Sequence, residues 1–165
     1  ELQYGPIGEW DTSKVTDMSF LFCVRQDWMD WTDSYEYCVL RTDETFNDEA
    51  IGAWDTSSVT SMQRTFYEAS TFNSDIGGWD VSKVSNMNYA FNSAAAFDAD
   101  IGDWDVSSVT SMRQTFDTST AFNADIGDWD VSKNGNMNSM FKNASAFSQD
   151  IDGSDPPREG RWCGV

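Results

Sequence analysis

A 25-residue frame recurs along the chain without drift, restarting at Ile51, Ile76, Ile101 and Ile126, with an earlier copy at Ile7 and a stub at Ile151. A unit that small cannot bury its own apolar face, so consecutive copies must lie on one another and share a core. At 165 residues the chain is long enough for one continuous core. The frame divides it into a leading segment (1–6), a first copy (7–22), an insertion (23–45), regular copies (46–150) and a closing tail (151–165), all within one domain.

Two spacings alternate inside each copy. Trp79 and Val81 stand two apart, as on one face of a short strand, with Asp80 and Ser82 facing the other way. Met87 and Phe91 then stand four apart, with Ala94 three further on, and Thr60 to Gln63 has the T-x-x-Q form of a capping box. These spacings predict an α/β repeat solenoid, with short parallel strands on one face and short helices on the other. Gly52, Gly77, Gly102 and Gly127 are expected to supply the bend before each strand. Ile, Trp, Val, Met and two Phe positions should form internal columns. The last copy departs from the frame at Asn134-Gly135, as a closing unit does.

Composition narrows the function. Ten basic and 28 acidic residues leave a formal charge of −18, which repels nucleic acid and anionic lipid surfaces. No run of roughly 20 apolar residues is present, so the chain is not expected to span a membrane. It has no His, which removes the commonest general base and the Ser-His and Cys-His constellations, and with them the main routes to an enzyme. The opening Glu1-Leu2-Gln3 is that of a processed form or a fragment.

Cys23 and Cys38 bracket the one large insertion, and a disulfide across about 15 residues stabilises by roughly 3 kcal/mol in the chain-entropy model. Cys163 would lie several coils away, beyond the reach of about 7 Å between Cα atoms. A disulfide places the chain in an extracytoplasmic compartment: secreted, on a cell surface, or in an organelle lumen.

Three groups of residues are candidates for binding. Trp28, Trp31, Tyr35 and Tyr37 in the insertion are either anchors for a partner or a self-packed loop. Asp27, Asp30 and Asp33 beside them are a metal turn or a solvated acidic loop. Asp11, Asp55, Asp80, Asp105 and Asp130 form a carboxylate column, with a second column at Asp75, Asp100, Asp125 and Asp150. These columns have two readings: a ladder of oxygen ligands for Ca²⁺, the only cofactor the sequence suggests, or carboxylates that accept hydrogen bonds within their own turns. Asn143-Ala144-Ser145 is a glycosylation sequon. No specific metal motif is present.

The frame I-G-x-W-D-[VT]-S-x-V-[TS]-x-M-x-x-x-F, followed by A-F-N-x-D, resembles the 25 to 26 residue repeat of mycoplasma-type surface lipoproteins, grouped with BspA-like leucine-rich repeats. The resemblance covers Ile7 to about Asp150, apart from the insertion. It implies a right-handed, leucine-rich-repeat-like coil, display on cell surfaces, and protein binding or adhesion. Two functions follow as expectations. One is an extracytoplasmic binding module without catalytic activity; the other is a structural accessory subunit of a larger extracellular or lumenal assembly.

Overall fold

A computed structural model describes residues 5–24 and 45–149. The repeats do lie one upon another, but the coil is not an α/β solenoid. Among the described residues the helical pieces are two 3-10 turns, Ile7–Glu9 and Glu49–Ala53. Strand pairing there is limited to isolated parallel bridges linking Asp17, Ser61, Asn86, Ser111 and Asn136 in one column. Among the described residues there is no sheet and no helical face, so neither the α/β fold class nor the leucine-rich-repeat geometry expected from the sequence holds for them.

The segment expected to be a helix is instead two consecutive tight turns. Thr65 N–H donates to Met62 O at 3.2 Å and Ala69 N–H to Phe66 O at 3.2 Å, each bond closing a four-residue turn. The third residue of each turn, Arg64 (φ 55°) or Glu68 (φ 61°), is left-handed, the signature of a type II turn and incompatible with a right-handed helix. The next copy repeats this with Tyr89 (φ 59°) and Ser93 (φ 60°), and the following one with Gln114 (φ 52°) and Thr118 (φ 62°).

What the turns gain is contact between coils. Met62, Arg64, Phe66 and Glu68 point their N–H groups at the carbonyls of Asn86, Asn88, Ala90 and Asn92 in the next coil, at 2.8–3.0 Å. An α-helix would consume those donors internally and leave adjacent coils unbonded along this edge. A counter-running bond joins the same coils, with Ser85 N–H donating to Thr60 O at 2.9 Å and Thr110 N–H to Ser85 O at 2.9 Å.

The segment expected to be a strand carries no backbone ladder either. Side chains join the coils there: the indole N–H groups of Trp79, Trp104 and Trp129 donate to the carbonyls of Ile51, Ile76 and Ile101 in the preceding coil at 2.9, 3.2 and 3.1 Å. A buried indole that finds such a partner avoids the cost of an unsatisfied donor, about 1–3 kcal/mol. On the far edge the Asn of A-F-N does similar work. Asn47 Oδ1 accepts from Asn73 N–H, Asn73 Oδ1 from Asp98 N–H, and a carboxylate oxygen of Asp98 from Asn123 N–H, at 2.7–2.8 Å.

The expected columns are all internal. Ile51, Ile76 and Ile101, the Met column from Met62 to Met112, and the two Phe columns from Phe66 to Phe141 and from Phe72 to Phe122 are almost fully buried. Within a coil the two rings stack closely, as in Phe66 on Phe72 at 3.9 Å and Phe91 on Phe97 at 4.1 Å. Between coils they sit at 5.3–6.0 Å, as in Phe66 to Phe91 and Phe97 to Phe122. Trp54 and Trp79 are parallel at 6.4 Å.

The glycine column has a different cause from the one expected. Gly77 is not in the left-handed region, so no bend requires it; a Cβ there would lie 2.5 Å from the Asp100 carbonyl oxygen of the next coil. Gly52 and Gly102 face Asp75 and Asp125 carbonyls in the same way, at 2.4 and 2.6 Å. Only glycine lets the coils approach this closely.

Candidate binding face

Each carboxylate of the first Asp column is held by its own turn. Asp55 Oδ1 accepts from Ser57 N–H at 3.0 Å and Ser57 Oγ–H at 2.6 Å, and Asp80 does the same with Ser82 at 3.0 and 2.6 Å. Asp11 repeats the pair with Ser13, while Asp105 and Asp130 accept from the N–H groups of Ser107 and Ser132 at 3.0 Å. D-x-S is thus a turn motif, and this is the second of the two readings given to the column. In the other column Asp75, Asp100 and Asp125 accept from the N–H groups of Gly77, Gly102 and Gly127 at 3.0–3.2 Å. Among the described residues no three acidic or cysteine side chains converge as a metal site, so the Ca²⁺ ladder finds no cluster to rest on.

The serine hydroxyls, and then the serine amides, lower the pKa of Asp11, Asp55, Asp80 and Asp105 below the usual 3.8; desolvation acts the other way on all four, as does a neighbouring aspartate on Asp11, Asp55 and Asp105, while a nearby lysine adds to the lowering at Asp55, Asp80 and Asp105. A depressed folded pKa gives stability that is present in full above the unfolded value, about 3.9, and lost as pH falls through the folded one. Glu68 runs opposite: burial raises its pKa above 4.5, so acidification first relieves it. The expected thermal stability is therefore level or slightly rising down to about pH 4.5 and falling below about pH 4. Replacing all four aspartates by Asn, whose Oδ1 keeps the turn, should flatten that acid limb in melting curves. An unchanged limb would mean these turns do not set it.

The side chains that project from the turn edge are of another kind. Arg64 places its guanidinium 5.3 Å from the Phe20 ring centre, 5.7 Å from that of Tyr67 and 4.9 Å from that of Tyr89. Arg113 stands 5.5 Å from the same Tyr89 ring. Arg64, Tyr67 and Tyr89 are half-buried and Arg113 is exposed, which makes a cationic, aromatic strip across three coils of an otherwise acidic molecule. Burial, and then the Glu68 charge, push the Tyr67 phenol up to about 12, so it stays a hydrogen-bond donor at any physiological pH. Asn88 Oδ1 braces the strip by accepting from Ser111 Oγ–H at 2.6 Å and Arg113 N–H at 2.9 Å.

A scan of the whole chain with known protein families matches residues 1–32 and 34–154 to the family described as "Mycoplasma protein of unknown function, DUF285". The chain belongs to this family. No curated protein and no solved structure matches the DUF285 chain. The match agrees with the resemblance to mycoplasma-type repeats and adds nothing on leucine-rich repeats, adhesion or catalysis.

Other residues singled out in the sequence fare unevenly. Cys23 of the DUF285 protein is buried and disulfide-bonded; Cys38 and Cys163 lie outside the described residues, as do Trp28, Trp31, Tyr35, Tyr37 and Asp150. Asn143 is exposed in a left-handed turn position, φ 60°. Among the described residues no helix is long and apolar enough to cross a membrane. The Arg and Tyr strip is not among the candidates that the repeat frame offers, although the sequence carries a signal for it. One column reads Phe20, Arg64, Tyr89, Gln114, Ser139, changing in every copy between a fixed Met column and a fixed Phe column.

Proposed function

We propose that this DUF285 protein is an extracytoplasmic protein-binding module without catalytic activity, and that Arg64, Tyr67, Tyr89 and Arg113 form its contact face. One observation carries the reading. Arg64 and Tyr89 sit at positive φ, where an L-residue with a bulky side chain costs roughly 1–2 kcal/mol and Gly or Asn costs little. Stability alone would favour small residues there, and left-handed bulky residues cluster where side chains serve a purpose beyond the fold. Tyr and Arg are also the residues most enriched at the energetic centres of protein interfaces. The disulfide at Cys23 supports an oxidising compartment. The absence of His from the sequence supports a non-catalytic role.

Tyr89→Asn separates fold from binding. Asn relieves the left-handed backbone, which offsets the loss of two cation–π contacts of about 0.5–1 kcal/mol each, so stability should change by less than about 1 kcal/mol. Capture of surface proteins from the native source on immobilised chain should fall at least tenfold for that variant. Equal capture by the wild type and Tyr89→Asn would defeat the proposal.

A further inference from the structure

Charge is not spread evenly around the coil. Within residues 51–125, three complete copies of the frame, eight aspartates and one lysine, Lys83, lie off the turn edge, and all nine are exposed. The turn edge of the same copies (60–70, 85–95 and 110–120) carries two arginines, Arg64 and Arg113, and two acids, Glu68 and Asp117. Both acids are drawn inward. Asp117 is 6% exposed, and its carboxylate accepts from Gln114 Nε2–H at 2.8 Å and Thr118 Oγ1–H at 2.9 Å. Glu68 is half-buried and shares a hydrogen bond with the Tyr67 phenol. In these copies the turn edge therefore presents the Arg113 charge to solvent, while the rest of the coil presents carboxylates.

Arg113 is also held in position. Arg64 sits among three rings, Phe20, Tyr67 and Tyr89, at 4.9–5.7 Å from their centres, and Tyr89 in turn stands 5.5 Å from the Arg113 guanidinium. The backbone beneath is fixed as well, since Arg113 N–H donates to Asn88 Oδ1 at 2.9 Å. A guanidinium ordered before binding loses less freedom when it meets an anion, and its planar fork matches a carboxylate through two parallel bonds. The type of cation fits that use. On the aspartate side, where a positive charge only has to offset its neighbours, the frame carries Lys14, Lys83 and Lys133; beside the tyrosines it carries arginine.

We infer that the partner of this strip presents an acidic, extended polypeptide segment, with a carboxylate on Arg113 and its neighbouring residues across Tyr89 and Tyr67. The inference rests on the contact face proposed above and adds the chemistry of what that face meets. Extension follows from the spacing. The rings of Phe66, Phe91 and Phe116 step by 5.3 and 5.5 Å from coil to coil. Same-face side chains of an extended segment recur about every 6.6 Å, close enough to meet Tyr67, Tyr89 and Arg113 on three successive coils. The field of the molecule sets the place, because an acidic segment is repelled from the aspartate side and accepted at the turn edge. It also sets the salt dependence. The screening length is about 30 Å at 10 mM salt and about 8 Å at 150 mM, so moderate salt silences the remote aspartates before it weakens the contact pair at Arg113.

The test is fluorescence anisotropy of a labelled glutamate 12-mer titrated with the full chain. Binding should tighten at least threefold from about 10 to about 150 mM NaCl, the reverse of an ordinary ion pair. At the higher salt, Arg113→Gln should weaken it at least tenfold and Arg113→Lys, which keeps the charge and loses the fork, at least threefold. Lys83→Gln changes the net charge equally on the aspartate side and should leave binding within twofold. A glutamine 12-mer should not bind. The inference is overturned if the glutamate peptide does not bind, if Arg113→Gln and Lys83→Gln weaken it alike, or if polyphosphate or dextran sulfate binds more tightly, which would make this an anion site of another class. These outcomes stay apart from those of the capture assay. Capture lost in Tyr89→Asn with no glutamate peptide bound keeps the contact face and removes only its partner class; peptide bound through Arg113 with capture undiminished keeps the peptide site and removes the strip's role in capture.

Discussion

Phe91→Ala is expected to lower the folding free energy by about 3–5 kcal/mol, out of the roughly 5–15 kcal/mol by which a folded domain is stable. Phe91 is fully buried at the centre of the stack. Its ring lies 4.1 Å from Phe97 in its own coil, 5.3 Å from Phe66 in the coil before, 5.5 Å from Phe116 in the coil after, and 6.2 Å from Trp104. Truncation removes the transfer energy of the ring and leaves a cavity walled by other rings that cannot collapse without breaking the bonds that set the coil spacing. Phe91→Leu, which keeps most of the volume, should cost about 1.5 kcal/mol or less. Chemical denaturation distinguishes the two. In a stack whose coils touch only their neighbours, the Ala variant should also unfold less cooperatively, since its weakest interface lies in the middle. A loss below about 1.5 kcal/mol for Phe91→Ala would mean that the ring columns are not the spine of the fold.

The positions of those columns were legible in the sequence because burial depends only on the frame. A residue that recurs every 25 positions and is apolar in each copy has nowhere to go but the shared interior, whatever the local backbone does. Local conformation was another matter. Met87 and Phe91 stand four apart, and that spacing suits one turn of helix and equally one tight turn following another. The sequence cue for the tight turns would have been Gly or Asn in the left-handed place, and Arg64 and Tyr89 occupy it instead. The strand reading of Trp79 and Val81 failed for a related reason. Alternation places side chains correctly on the inner face, but Trp79 joins the coil before it through its indole, 2.9 Å from Ile51 O, and the backbone ladder runs along the turns. Asp80 was legible as a turn carboxylate because D-x-S carries its partner two residues on, whereas the strip around Tyr89 depends on residues 24 and 25 apart.

Gly77→Ala and Gly78→Ala, one residue apart and identical in chemistry, are expected to differ in sign. At Gly77 the new Cβ would meet the Asp100 carbonyl oxygen at 2.5 Å and an oxygen of the Asp75 carboxylate at 3.4 Å. The first of these is backbone, which no rotamer change can move aside, so the coils must part. Parting them stretches the bonds on either side, Trp104 Nε1–H to Ile76 O and Asp98 N–H to Asn73 Oδ1, at 3.2 and 2.8 Å. Overpacking of this kind costs about 1–3 kcal/mol or more, and the strain falls on an interface whose every column shares the same spacing. At Gly78 a Cβ meets nothing within 4 Å, and the position is already Ala53, Asp103 and Asp128 in other copies. There the substitution only restricts the unfolded chain, which stabilises by about 0.4–1 kcal/mol. Thermal melting of the two variants beside the wild type decides the matter. Equal melting temperatures for Gly77→Ala and Gly78→Ala would show that close approach does not set the spacing, and the reason for a glycine in that column would have to be sought elsewhere.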